Sequence, residues 1–255
     1  MALPRFYITP DEASVAGQRD IVLNEDTSRH VVQVLRMKPG EQLQLTDGRG
    51  NLLTASILDD HKKKCLVKVE SVIFQPGREK KVTLAMSLLK NANRFEWFLE
   101  KATEIGISTI IPLLCERTEK QHFRQDRMES ILVSAMLQSQ QVWLPALSTP
   151  TAFIQQIGQP GYDRKFIAHC LEEQRVSLAR IARQPEPVRD QGPGEGNSSP
   201  ASPVSSLILI GPEGDFSKKE IESALQQGYE PVTLGETRLR TETAGVVAAT
   251  LLCVG

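Results

Sequence analysis

The sequence predicts an α/β protein: a small N-terminal β-barrel, then a mainly parallel sheet with helices on both faces. Three observations carry this. Short apolar strands separated by turn signals fill residues 1–75. Beyond residue 81, apolar strand runs alternate with amphipathic helical segments. Near the C-terminus, two strands run into glycine bends that each open a helix, at residues 211–217 and 234–241. A chain of 255 residues is long enough for one large domain or two modest ones.

Within the first part, Thr9-Pro10-Asp11-Glu12 reads as a helix start, with Pro at the first helical position and Glu at the third. Val31, Val32, Val34 and Leu35 suit a short helix over residues 30–36 better than a strand. Gly40, the run Gln42-Leu43-Gln44-Leu45-Thr46 and the turn Asp47-Gly48-Arg49-Gly50 signal a hairpin. Strands continue over residues 52–58 and 65–72. Residues 75–81, Pro and Gly followed by charge, read as a linker. The domains are therefore placed at 1–75 and 81–255.

In the second part, residues 82–89 are a buried-strand candidate. Phe95, Phe98, Leu99, Ala102 and Ile105 share one helical face, and Gly106 stands where a helix-ending glycine belongs. Residues 109–114 read as a strand, 127–141 as a helix, and 165–170 and 206–210 as two more strands. Residues 184–205 are rich in Pro, Gly and Ser and almost lack large apolar side chains, which predicts a flexible surface loop.

Composition excludes several classes. No run approaches the ~18 continuous apolar residues of a membrane span, and the N-terminus lacks the apolar core of a signal peptide. A cytoplasmic location is expected. Cys65, Cys115, Cys170 and Cys253 are far apart, and the four histidines are equally dispersed, so no disulfide framework and no metal site is expected. The net charge is −1 and no basic tail exists. Clusters at Lys62 to Lys64, at Arg78 with Lys80 and Lys81, and between Arg117 and Arg127 fit either a folded basic patch or a solvated mixed-charge surface.

The two bends carry the chemistry. Gly211 and Gly214 permit positive φ and close backbone approach. Ser217 with Glu220 makes a capping box, and Phe216 with Ile221 the hydrophobic staple around it. The segment lacks the Gly-Lys-Ser/Thr ending of a phosphate loop, and Glu213 and Asp215 would repel phosphate. In the second bend, Thr241 is a good N-cap, and Ala244, Gly245, Ala248 and Ala249 form a small-residue face for close packing. Arg238 and Arg240 project from the preceding loop, as free cations or paired with Glu236 or Glu242. A pocket lined by backbone groups with cations beside it suits a bulky nucleoside-like cofactor.

These segments resemble those of the SPOUT methyltransferases, and in particular the bacterial 16S rRNA (uracil-1498-N3)-methyltransferases of the RsmE family. The resemblance spans the chain apart from residues 184–205. Arg5-Phe6-Tyr7, His30 to Arg36 and Asp47-Gly48 look like that family's PUA-like barrel. Lys90 and the run Phe95 to Gly106 look like its Lys…Lys-Ala-Thr-Glu-Leu-Gly segment, and Ile111-Pro112-Leu113 with Glu116-Arg117 like the strand after it. Gly211-Pro212-Glu213-Gly214 and Leu234-Gly235 through Leu239-Arg240-Thr241-Glu242-Thr243-Ala244 match its two cofactor motifs. One departure stands out: Leu137 and Gln141 replace a charged pair usual in the family, while Gln138 is kept.

The resemblance implies a trefoil-knotted C-terminal domain, a homodimer, S-adenosylmethionine as cofactor, and 16S rRNA or the small ribosomal subunit as partner. It implies cofactor contacts at Gly211, Glu213, Gly214, Leu234, Gly235, Leu239, Arg240 and Thr241, with His169 to Leu171 as a third wall. Methylation of uracil N3 needs loss of its proton, and the charge then spreads onto O2 and O4. Arg240 is the first candidate to face that charge and Lys90 the second; Glu213 or Glu242 would accept the proton or orient an arginine. Arg5, Arg29, Arg36, Arg117 and Arg238 are candidate RNA contacts. Two alternatives remain open at this point: another rRNA or tRNA position as target, and a non-catalytic RNA-binding module.

Overall fold

The computed structural model describes residues 3–9, 20–119, 123–171, 175–184 and 204–254. The helix start expected at residues 9–12 lies, from residue 10 on, outside the described residues, as does most of the expected loop at 184–205. The described residues group into two compact units, one within residues 1–77 and 133–144, the other within 78–132 and 145–255.

The first unit is a mixed five-stranded sheet. Its strands are β1 (Arg5–Tyr7), β2 (Asp20–Val22), β3 (Gln42–Thr46), β4 (Asn51–Asp59) and β5 (Leu66–Phe74), in the order β1-β3-β4-β5-β2. β1 and β3 are parallel, and the other pairs are antiparallel. Alternating Leu43, Leu45, Leu53, Ala55, Ile57 and Val67 fill its core with Val31. The hairpin turn is tied by Asp47, whose carboxylate accepts from Arg49 N at 2.8 Å and from Asn51 Nδ2 at 2.6 Å. The helix expected at 30–36 starts earlier. Asn24 caps Glu25–Arg29, and His30–Val34 continues as a π-helical turn.

The second unit holds an eight-stranded sheet in which every described pair is parallel. β6 (Lys80–Ser87), β7 (Thr109–Leu114), β8 (Ala146–Leu147), β9 (Thr151–Ala152), β10 (Arg164–Ala168), β11 (Val176–Ser177), β12 (Val204–Ile210) and β13 (Glu230–Thr233) make it up. The order is β11-β13-β10-β12-β6-β7-β8, with β9 also on β7. β12 begins at Val204, so residues 204 and 205 are strand rather than loop. β10 ends at Ala168, two residues short of expectation, because the amide of Cys170 bonds the Asp215 side chain instead of a ladder. Helix Gln125–Gln138 stops three residues before Gln141, where Gln140 turns left-handed at φ 56°. No helix among the described residues is long and apolar enough to cross a membrane.

Both faces of the sheet are covered, which is why its strands read as continuous apolar runs. Ala85, Ile111, Ile167, Leu207 and Leu209 pack on one side with Phe153, Phe216, Ile221 and Ala224. On the other, Met86 meets the final helix, Thr241–Val254, at Gly245, and Phe98 of helix Ala92–Ile105 meets the same glycine. Helix Ala92–Ile105 ends as its sequence predicts, with Gly106 left-handed at φ 96°.

A Cβ at Gly245 would lie 2.7 Å from Phe98 Cε2 and 2.9 Å from Met86 Sδ, in fully buried surroundings. Gly245→Val is expected to cost about 2 kcal/mol or more, as overpacked cores do. A denaturation midpoint equal to that of the parent would remove this account of the glycine.

Candidate functional site

At the C-terminal ends of β10, β12 and β13 the second unit opens into a cleft of about 940 Å³. Three segments wall it: residues 168–171 after β10, residues 210–218 after β12, and residues 232–241 after β13.

The segment after β12 is the most tightly specified. Gly211 lies so close to Phe216 that a Cβ would sit 3.0 Å from the ring. Gly214 and Asp215 are left-handed in succession, at φ 103° and 73°. Asp tolerates that conformation because its short side chain bonds locally. Here Oδ1 accepts from Phe216 N at 2.8 Å, and Oδ2 accepts from Cys170 N at 2.7 Å, which ties the bend to the end of β10. The capping box forms as read from sequence, opening helix Lys218–Gln226. Its Glu220 also accepts from Glu116 N at 2.8 Å, so the cap doubles as a link to the loop after β7. Burial, with Glu220 nearby, pushes the Cys115 thiol up to about 12.

Two arginines brace the same bend. Arg117 donates from Nη1 to Gly214 O at 2.6 Å. Arg94 donates from Nη1 to Glu213 Oε1 at 2.8 Å. In the second bend, the Thr233 hydroxyl donates to Gly235 O at 2.8 Å, and Gly235 has φ 148°. The final helix starts at Thr241 with Arg240 O accepting from Ala244 N, so Arg240 takes the cap position expected for Thr241. Arg175 Nη1 donates to His169 O at 2.6 Å and holds the third wall.

The cleft brings together His169, Leu171, Gly211, Glu213, Gly214, Leu234, Gly235, Leu239, Arg240 and Thr241, with Arg117 and Arg238 beside them. Arg238 and Arg240 have no side-chain partner among the described residues. Glu242 does not line the cleft. It is buried in the first turn of the final helix, with Oε1 3.7 Å from Arg94 Nε. Lys90 also lies off the lining; it is exposed and paired with Glu119 at 2.9 Å, which raises its pKa. Arg5, Arg29 and Arg36 belong to the first unit. Arg5 bonds Gln44 Oε1 and Gln140 O, Arg29 pairs with Glu25 at 2.7 Å, and Arg36 is exposed at φ 57°.

Sequence reasoning missed Arg94 and Arg175 as site residues and read Asp215 only as repelling anions. No local signal marks Arg94, whose carboxylate partner lies 119 residues away. A single Asp directly after a glycine was the available hint for Asp215. No group of His, Cys, Asp and Glu able to hold a metal ion occurs among the described residues.

A parallel sheet with a glycine-bend cleft at its C-terminal edge, in a chain that also carries a separate small β unit, defines a two-part α/β protein. Family comparison makes this specific: residues 77–253 match the RNA methyltransferase domain and residues 23–70 the RNA methyltransferase PUA domain. The chain belongs to the RNA methyltransferase family. It is 28% identical over 246 residues to the ribosomal RNA small subunit methyltransferase E of Synechocystis, covering 96% of this chain and 75% of that one. Among solved structures it resembles a probable rRNA-methyltransferase from Porphyromonas gingivalis, with 36% identity, TM-score 0.81 and coverage of 97% and 95%. It also resembles ribosomal RNA small subunit methyltransferase E from Neisseria gonorrhoeae bound to S-adenosyl methionine, with 25% identity, TM-score 0.78 and coverage of 97% and 95%.

Asp215→Ala removes both amide contacts and leaves an alanine at φ 73°. A loss of about 2 kcal/mol is expected. Thermal unfolding checks it, with Asp215→Gly, which relieves only the backbone strain, falling between parent and alanine.

Proposed function

We propose that this chain transfers a methyl group from S-adenosylmethionine to N3 of a uridine in 16S rRNA of the small ribosomal subunit. The observation that carries the proposal is the convergence of the segments after β10, β12 and β13 on one cleft of about 940 Å³. That volume is in the usual range for a cofactor site. Its walls fit the cofactor: glycine bends that offer backbone donors and acceptors, and no phosphate loop. At Gly214 and Gly235 an added Cβ would meet no protein atom within 4 Å, so the walls there stand open to a ligand.

When bound, S-adenosylmethionine supplies an electrophilic methyl group on a sulfonium. The chain's own residues do the rest. His169, Leu171, Gly211, Gly214, Leu234, Gly235, Leu239 and Thr241 hold the cofactor, largely through main-chain groups. Arg240 faces the negative charge that spreads over O2 and O4 as N3 loses its proton. It is better placed for this than Lys90, which Glu119 engages away from the cleft. Glu213 is the carboxylate at the cleft surface and so the better proton acceptor than Glu242 beneath it. N3 lies on the pairing edge, so the target base is presented unpaired or extruded. Arg117 and Arg238 at the cleft, and Arg5, Arg29 and Arg36 in the first unit, contact the RNA backbone.

The same reading makes the C-terminal domain trefoil-knotted and the protein a cytoplasmic homodimer. The strand order supports the first part, since the chain passes from β12 across β10 to reach β13.

Incubation with S-adenosylmethionine and small subunits from a strain lacking the mark is expected to yield 3-methyluridine by nucleoside mass spectrometry. Cofactor at about 100 Kd adds ~2.7 kcal/mol of stability. No product together with no thermal shift would sink the proposal. Arg240→Ala is expected to lower kcat about a hundredfold while changing cofactor Kd only a few fold. Equal losses in both quantities would take Arg240 out of the chemistry.

A further inference from the structure

Glu242 is the carboxylate that the site leaves unexplained. Its side chain is only 9% exposed, and Oε2 has no hydrogen-bond partner among the described residues. A buried carboxylate without compensation is costly. The cation facing it is Arg94, with Nε 3.7 Å from Oε1, inside ion-pair range and beyond hydrogen-bond range. The far end of the same guanidinium donates to Glu213 Oε1 at 2.8 Å. One arginine on helix Ala92–Ile105 therefore spans a buried carboxylate on the final helix and an exposed one on the first glycine bend.

The two acidic side chains of that bend are held differently. Asp215 spends both oxygens on main-chain amides. Among the described residues the Glu213 carboxylate is bonded by Arg94, and its side chain is 47% exposed at the cleft. A long exposed side chain samples many rotamers unless something fixes it. Arg94 supplies that constraint because its own base is held in place. Withdrawing it from Glu242 would leave that buried carboxylate without its paired cation.

We propose that Arg94 is a positioning residue for methyl transfer: anchored beneath by buried Glu242, it fixes the carboxylate of Glu213 at the surface of the cleft. Arg94 acts through Glu213. The proposal rests on the cleft being the methyl-donor site described above.

The test compares Arg94→Met, Arg94→Lys, Glu213→Gln and the double variant Arg94→Met/Glu213→Gln with the parent chain. Calorimetry gives Kd for S-adenosylmethionine, and turnover on rRNA gives kcat and KM. Arg94→Met is expected to lower kcat about tenfold or more, with Kd for the donor within about threefold of the parent. Arg94→Lys, which keeps a cation, recovers part of the loss. The double variant is expected within about twofold of the worse single variant, since the two residues act as one unit. A kcat for Arg94→Met within about twofold of the parent, or losses that multiply in the double variant, overturns the proposal. Should Arg94→Met fail to fold by thermal melt, Arg94→Lys combined with Glu213→Gln answers the same question: multiplying losses reject it. Absence of donor binding by the parent itself would instead strike the methyltransferase reading.

Discussion

The cleft depends on one carboxylate. Asp215 holds the bend after β12 against the end of β10 through Cys170 N, and it does so from a left-handed backbone that few residues adopt. The ladder between β10 and β12 ends at Ala168 and Ile210, and this link is what joins the segments that run on beyond it. The other braces act around it. Glu220 ties the following helix to Glu116, Arg117 holds Gly214 O, and Arg94 holds Glu213. Each is a charged side chain bonding main chain or an opposite charge, the stronger class of hydrogen bond. The loops that wall the cleft are cross-braced at their own residues.

Sheet topology explains where the cleft lies. Parallel strands deliver all their C-terminal ends to one edge, and ligands collect where neighbouring connections diverge. β6 leads to β7 on one side, while β12 leads across β10 to β13 on the other. The bends after β10, β12 and β13 therefore face one another. Gly245 matters to the same geometry. It lets the final helix, which begins at the cleft, settle against Phe98 and Met86. The small-residue face seen in the sequence thus does part of its work inside the domain.

Much of this was legible in the sequence because it is local. The capping box at Ser217 and Glu220, the glycine ending helix Ala92–Ile105 and the strand at Thr109–Leu114 each follow from residues within a few positions of one another. Two-residue strands such as β8 and β11 were not legible, since they exist only through their neighbours. Element ends shifted where a tertiary bond outcompeted the local pattern, as at Cys170. Arg94 and the second role of Glu220 were hidden for the same reason. Their partners lie 119 and 104 residues away, and no periodicity encodes such a pair. Glu242 was expected as a site residue, yet it lies off the cleft lining, and its burial next to Arg94 was not legible.

Charge at the cleft resolves a tension in the composition. The whole chain carries a net charge of −1, which offers no general attraction to a polyanion. The cleft lining, however, carries Arg94, Arg117, Arg175, Lys218, Arg238 and Arg240 against Glu213, Asp215 and Glu236. Six cations against three carboxylates leave three positive charges in excess. The carboxylates are placed so that they do not cancel the outer cations: Glu213 is matched to Arg94, and Asp215 is turned into the bend. Arg238 and Arg240 are left to solvent, on the loop that leads into the final helix. A concave wall with that excess focuses positive field on a small area of a chain whose overall charge is close to neutral.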